Sequence, residues 1–169
     1  MSDQAHHDVS LEVMKQLVAT KMVRHADHPR LPLTIYNYSQ MVQYKKKWTD
    51  LLLRCRGLVV DQITGQVVAS PMPKFFNYDE TRHEDFRMDE CDVVEKLDGS
   101  LGIFFKYRDE WVFSSRGSFV SPQAKKGDEM AREKELDKLC DPEYTYMFEV
   151  IYPDNRIVSG CPESSLSWD

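Results

Sequence analysis

The apolar positions of the chain switch between helical and strand spacing. Leu11, Met14, Leu17, Val18 and Met22 recur at helical intervals, so residues 10–24 predict a helix capped by Ser10 with one apolar face. His28-Pro29-Arg30 closes that segment and Leu31-Pro32 opens a loop. Residues 33–38 (LTIYNY), β-branched and aromatic, predict a strand. Residues 40–48 carry Lys45, Lys46 and Lys47 in a row, and residues 48–53 predict a short helical or irregular connection. Such a charge run is most often a solvated face, with contact to RNA or phosphate as the alternative. Runs at 58–61 and 66–70 flank Thr64-Gly65 and predict a β-hairpin. Pro71 and Pro73 then stop regular pairing. Residues 79–92 are acidic and predict a loop with a short helical turn. Runs at 101–107 and 111–115, joined through Arg108-Asp109-Glu110, predict a second strand pair. Pro122, suited to a first helical turn, predicts a helix over 122–140. Residues 144–151 (YTYMFEVI) predict a strand in which Tyr146, Phe148 and Val150 share one face, with Met147, Glu149 and Ile151 on the other. Residues 153–156 read as a turn, Ile157-Val158 as the start of a strand, and the remainder as irregular.

Composition narrows the class. At 169 residues, with 41% hydrophobic and 30% charged content, the chain reads as soluble and globular with length for a proper core. No apolar run approaches the roughly 20 residues of a membrane helix, and the polar N-terminus lacks the apolar core of a secretion signal. The four cysteines, Cys55, Cys91, Cys140 and Cys161, form no Cys-x-x-Cys pair. They read as reduced thiols in an intracellular, cytoplasmic protein rather than as a metal site. His6, His7, His25 and His28 read as solvent-exposed. A net charge of −6 argues against a broad sequence-independent nucleic-acid footprint, though not against a small basic groove on an acidic body.

The chemistry concentrates at residues 93–100 (VVEKLDGS). Asp98-Gly99 is a good turn, and turn formation alone would explain those two residues. A lysine two positions earlier among apolar side chains is not explained that way. Held at a strand end beside other cations, Lys96 can act as a nucleophile near neutral pH, and Gly99 would let backbone approach a ligand closely. Lys74 sits among aromatics in Pro73-Lys74-Phe75-Phe76-Asn77-Tyr78, where its amine must snorkel outward or meet an anion. Glu149, within an apolar strand, needs a partner or a ligand hydroxyl.

Lys-x-Asp-Gly-Ser resembles the nucleophile motif of the covalent nucleotidyltransferases: RNA ligases, DNA ligases and mRNA capping enzymes. Six blocks in order (IYNY, RCRGLVVD, PMPKFFNYDE, EKLDGSL, FSSRGSFVS and FEVIYPDNRIV) resemble the phage RNA ligase 1 family over residues 33–158. The resemblance implies an α+β nucleotidyltransferase (ligase adenylation) fold of antiparallel sheets with flanking helices. It implies an N-terminal helical segment over residues 1–32 and a partial adenylyltransferase domain over 33–169. It further implies that Lys96 is the adenylated nucleophile, with Asp98 and Gly99 completing the motif. Arg56, Lys74, Phe76, Arg116 and Glu149 would then lie in the ATP pocket, the cations on phosphates and Glu149 on the ribose. Arg116 stands where the family's best-known pattern has lysine; it keeps the charge but cannot exchange a proton. The implied reaction uses ATP and Mg²⁺. AMP is carried from Lys96 to an RNA 5′-phosphate and displaced by a 3′-hydroxyl, with repair of cleaved transfer RNA as the family-level expectation.

The family also has a downstream strand bearing a metal-binding glutamate and another bearing Lys-x-Lys. The sequence contains neither after Glu149, which implies a C-terminally incomplete domain with little ligation activity by itself. Two further readings are a non-catalytic nucleotide- or RNA-binding module and a folded remnant.

Overall fold

A computed structural model describes residues 9–77, 80, 92, 94–155 and the backbone of 165–168. Chain order is α1 (Leu11–Ala19), β1 (Val23–Asp27), β2 (Leu33–Tyr38), α2 (Gln40–Lys45), α3 (Asp50–Arg54), β3 (Arg56–Asp61) and β4 (Val67–Ala69). Then follow β5 (Ser100–Tyr107), β6 (Glu110–Ser115), α4 (Pro122–Glu133), α5 (Leu136–Leu139), β7 (Tyr146–Ile151) and β8 (Ser165–Trp168). The first four strands form one antiparallel sheet in sequence order, and the last four form a second in the order β6-β5-β7-β8. The fold is therefore α+β with antiparallel sheets, as the family resemblance implied.

Strand alternation assigns each side chain to one of three cores. Tyr36, Leu58 and Val60 face Met14 of α1, Val42 of α2 and Leu52 of α3. Leu33, Ile35 and Val59, one position out of step, face Ile103, Phe105 and Tyr107 of β5, so the two sheets pack face to face. Phe104, Phe113, Phe148 and Val150 point the other way, onto Met130 and Ala131 of α4. Each sheet is thus buried on both faces, with helices outside. A buried polar contact also joins the sheets: the Tyr107 hydroxyl donates to Asp61 at 2.8 Å.

Several elements differ from the sequence expectation. The first helix stops at Ala19 because Lys21 takes a left-handed conformation (φ 58°). Met22 still packs on the helical core, which is why its spacing read as helix. Residues 23–27, expected within or just beyond that helix, are β1, paired with β2. The long helix at 122–140 breaks at Glu135, also left-handed (φ 52°), into α4 and α5. The end of the chain, expected to be irregular, supplies β8, which pairs with β7. His28 is half-buried rather than exposed: its Nδ1 accepts from the backbone N–H groups of Leu31 at 3.0 Å and Arg30 at 3.2 Å. Burial, then Arg30, pushes its pKa down. Cys55 and Cys140 are free, buried thiols. The expected loop over 79–92 (apart from residues 80 and 92), the strand start at 157–158, His6, His7, Cys91 and Cys161 lie outside the described residues.

Candidate active site

Residues 94–98 have no regular secondary structure, and β5 opens at Ser100. Lys96 is therefore displayed by an irregular stretch leading into a strand. It is exposed, and its amine donates to the Leu97 carbonyl at 3.3 Å. The following glycine is demanded by packing: a Cβ on Gly99 would stand 2.7 Å from the Val150 carbonyl oxygen and 3.0 Å from Glu149 Cγ. The close approach expected for a ligand is thus an approach to β7. It seats the lysine motif beside the strand that carries Glu149.

Around this junction lies a cleft of about 730 Å³. Lys96 and Gly99 line it from the motif, Arg56 from the start of β3, Arg116 from just beyond β6 and Glu149 from β7. Five of the eight site residues expected from sequence converge here. Arg56 is half-buried, its guanidinium 5.2 Å from the centre of the Phe75 ring, with the Met72 carbonyl at 3.5 Å. Gly57, immediately after it, needs its left-handed φ of 95°, and a Cβ there would collide with Ile103. Arg116 rides on a serine-held turn. The Ser115 backbone N–H and hydroxyl both donate to the Ser118 carbonyl, at 2.9 and 3.1 Å, and the Ser118 hydroxyl accepts from the backbone of Val120 and Ser121. The guanidinium lies 5.9 Å from the Tyr38 ring centre. Met147 and Glu149 face the cleft while Phe148 and Val150 face the α4 core, matching the alternation expected for this strand.

Three expected site residues do not line the cleft. Asp98 is half-buried outside it. Lys74 and Phe76 line a separate hollow of about 240 Å³ with Gln43, Lys46, Trp48 and Glu80. The irregular segment at 72–76 is the wall between the two spaces. Met72 and Phe75 face the cleft, and Lys74 and Phe76 face the hollow. The Lys74 backbone N–H donates to the Leu53 carbonyl at 2.8 Å, its amine donates to the Phe75 carbonyl, and that amine lies 4.6 Å from the Phe76 ring centre. The aromatic beside Arg56 is therefore Phe75, not Phe76. A third hollow, about 420 Å³ between β6 and α4–α5, holds charges that pair with one another: Arg132 with Asp128 at 2.9 Å and Lys138 with Glu135.

Two residues enter the site unannounced. Asn37, the lone amide in an apolar strand, lines the cleft, and its Oδ1 is buried without a hydrogen-bond partner. Asn155, read from sequence only as part of a turn, donates through Nδ2 to the Ser100 hydroxyl at 3.0 Å and to the Val150 carbonyl at 3.1 Å. Among the described residues no group of three His, Cys, Asp or Glu side chains could hold a metal ion, and no helix is long and apolar enough to cross a membrane.

An RNA ligase family profile matches residues 54–166, a span that contains Arg56, Lys96, Arg116 and Glu149. A protein of Autographa californica nuclear polyhedrosis virus named "Putative bifunctional polynucleotide kinase/RNA ligase" is 28% identical over 184 aligned residues, covering 92% of this chain and 26% of that protein. A "Putative RNA ligase" of Thermovibrio ammonificans is 30% identical over 118 residues, 65% of this chain and 31% of that one. The chain thus spans between a quarter and a third of the length of these curated relatives.

Proposed function

Because this chain belongs to the phage RNA ligase 1 family of RNA ligases, we propose that its cleft is where ATP, as a substrate, adenylates Lys96 ahead of RNA strand joining. The observation that carries this reading is the meeting of one exposed lysine, two arginines and one carboxylate, from four separate parts of the chain, around a single cleft. Phosphoryl and nucleotidyl transfer depend chiefly on positioning and on neutralising charge on phosphate oxygens. Arg56 and Arg116 meet the second demand. The ring of Phe75 beside Arg56 limits where that guanidinium can swing, which serves the first.

In the proposed step the Lys96 amine, having lost a proton to solvent, attacks the α-phosphorus. A P–N bond forms, the P–O bond to the β-phosphate breaks, and pyrophosphate leaves with the electron pair. Glu149 accepts a hydrogen bond from a ribose hydroxyl and orients the sugar. The nucleotide then passes to an RNA 5′-phosphate, and a 3′-hydroxyl displaces AMP. Mg²⁺, expected from the family resemblance, finds no ready cage among the described side chains. It would bind through the triphosphate oxygens, which suit this hard cation, and the roles of Lys96, Arg56, Arg116 and Glu149 do not depend on it.

The test is incubation of the chain with α-labelled ATP followed by denaturing electrophoresis. A label that is acid-labile, alkali-stable and absent from Lys96→Ala is the expected result. Saturable ATP binding with no covalent label would overturn the catalytic reading and leave a binding module.

A further inference from the structure

The small hollow behind the wall holds two residues assigned from sequence to the nucleotide pocket, and its surroundings suit a different ligand. Helix α2 ends at Lys45, and Lys46 adopts a left-handed conformation (φ 49°, ψ 34°) that turns the chain. Tyr44, Lys45, Lys46 and Lys47 are all exposed, and the Tyr44 side chain is 89% accessible. Lys45 has an ordinary structural role, since a cation in the last turn complements the helix dipole. That role does not extend to Lys46 and Lys47 beyond the helix or to an almost wholly exposed tyrosine.

Trp48 continues the same run inward. It stands edge-on to Tyr38 at 5.0 Å and to Phe76 at 5.5 Å, ring centre to ring centre. The hollow therefore has two aromatic walls, Trp48 and Phe76, and two lysines, Lys46 and Lys74, at its margin. Its carboxylate, Glu80, accepts from the backbone N–H of Asn77 at 3.2 Å. Among the described residues none of Lys45, Lys46, Lys47 and Lys74 forms an ion pair. Three consecutive cations without ion pairs, flanked by the exposed Tyr44 ring and by Trp48, match the chemistry of a single-stranded polynucleotide, whose phosphates take the cations and whose bases stack on rings. On a chain of net charge −6 such a patch is a local grip rather than part of a broad field.

We propose that the ledge at 44–48, with the hollow of Trp48, Lys74 and Phe76 behind it, binds single-stranded RNA outside the nucleotide cleft. The choice of RNA over other single strands rests on the ligase reading above; the grip itself rests on Lys45, Lys46 and Lys47, none in an ion pair among the described residues, and on the exposed ring of Tyr44. Because the wall at 72–76 separates hollow from cleft, a strand held on the ledge lies alongside the nucleotide site without occupying it.

The experiment is fluorescence anisotropy of a labelled, 5′-phosphorylated oligouridylate with the full chain, over a series of salt concentrations, beside the covalent ATP-labelling assay. In the triple variant Lys45→Gln/Lys46→Gln/Lys47→Gln the RNA affinity should fall tenfold or more at low salt. The slope of log affinity against log salt should flatten by about 2, as expected for three lost contacts to a single strand. Tyr44→Ala, at a position too exposed to affect folding, should weaken binding about fivefold or more through lost stacking. ATP affinity and covalent labelling should be unchanged in both variants. An unchanged RNA affinity and salt slope in the triple variant overturns the proposal. So does competition in which ATP displaces the RNA while the triple variant loses ATP affinity, because the hollow is then a nucleotide site. If the wild-type chain takes no covalent label yet binds RNA through these lysines, the adenylation reading falls and the RNA surface stands.

Discussion

Asn155 Nδ2 lies 3.0 Å from the Ser100 hydroxyl and 3.1 Å from the Val150 carbonyl, so one amide fastens the lysine motif to the strand that carries Glu149. Gln123 of α4 reaches the same side chain, with Nε2 3.4 Å from Asn155 Oδ1. Asn155 does not itself line the cleft; it acts through Ser100, which does, by holding the lysine motif against the strand that carries Glu149. Asn155→Ala should lower the rate of covalent labelling about tenfold or more, since small misplacements of reacting groups carry penalties of that size. Stability should drop by only about 1 kcal/mol. Single-turnover labelling and urea melts, read together, separate these effects. Equal losses in both would make Asn155 merely structural.

Gly99→Ala should damage both fold and chemistry. The added carbon would meet the Val150 carbonyl at 2.7 Å, and backbone cannot yield as a flexible side chain can. Overpacking of this kind costs about 1–3 kcal/mol, and the β5–β7 pairing nearest Lys96 must shift. A lower thermal midpoint together with lost ATP labelling is the expected pair of results.

The Asp61–Tyr107 contact makes stability depend on pH. Burial pushes the Asp61 carboxyl up, but the Tyr107 hydroxyl, the backbone N–H groups of Ile63 and Thr64 and the charge of Arg108 outweigh it and hold the group below its ordinary value. A carboxyl depressed in the folded state stabilises fully above its unfolded value of about 3.9. That contribution disappears as pH falls through the lower folded value. Urea midpoints of the wild type should therefore decline below about pH 4 more steeply than those of Asp61→Asn. Tyr107→Phe should cost about 1.5–3 kcal/mol at neutral pH, the loss of a hydrogen bond to a charged group.

Cys55 is buried with its thiol pushed up to about 12, mainly by burial, with Arg54 acting weakly in the other direction. Thiolate is the reactive form. Cys55 and the similarly buried Cys140 should resist a maleimide or disulfide reagent at pH 8 until the chain unfolds. Mass spectrometry of briefly labelled native protein should find both unmodified; prompt labelling of Cys55 would contradict its placement in the first core.

Much of the fold could be read from alternation. Residues 33–38, 58–61 and 101–107 carry apolar side chains so densely that strand was the only economical reading, and the two faces of β7 follow from Phe148 and Val150 alone. β1 was hidden because three of its five residues, Arg24, His25 and Asp27, are polar or charged, as an edge strand allows. Non-glycine left-handed turns at Lys21 and Glu135 leave no mark in composition. At the site, Arg56, Lys96, Gly99, Arg116 and Glu149 could be anticipated because each sits in a recognisable block. Nothing in the sequence separates Lys74 and Phe76 from Phe75, because residues 71–77 lack regular structure, and without a period nothing tells which side of the chain a residue takes. Asn155 was overlooked because its importance lies in tertiary hydrogen bonds that no local pattern reveals.

The partition between cleft and hollow is a single thickness of irregular backbone, with Met72 and Phe75 turned one way and Lys74 and Phe76 the other. Each of these side chains furnishes one chamber only. A substitution at Lys74 or Phe76 would refurnish the hollow and leave the cleft lining as it is, and one at Met72 or Phe75 would do the reverse, so the two spaces are free to diverge separately although one strip of chain builds both.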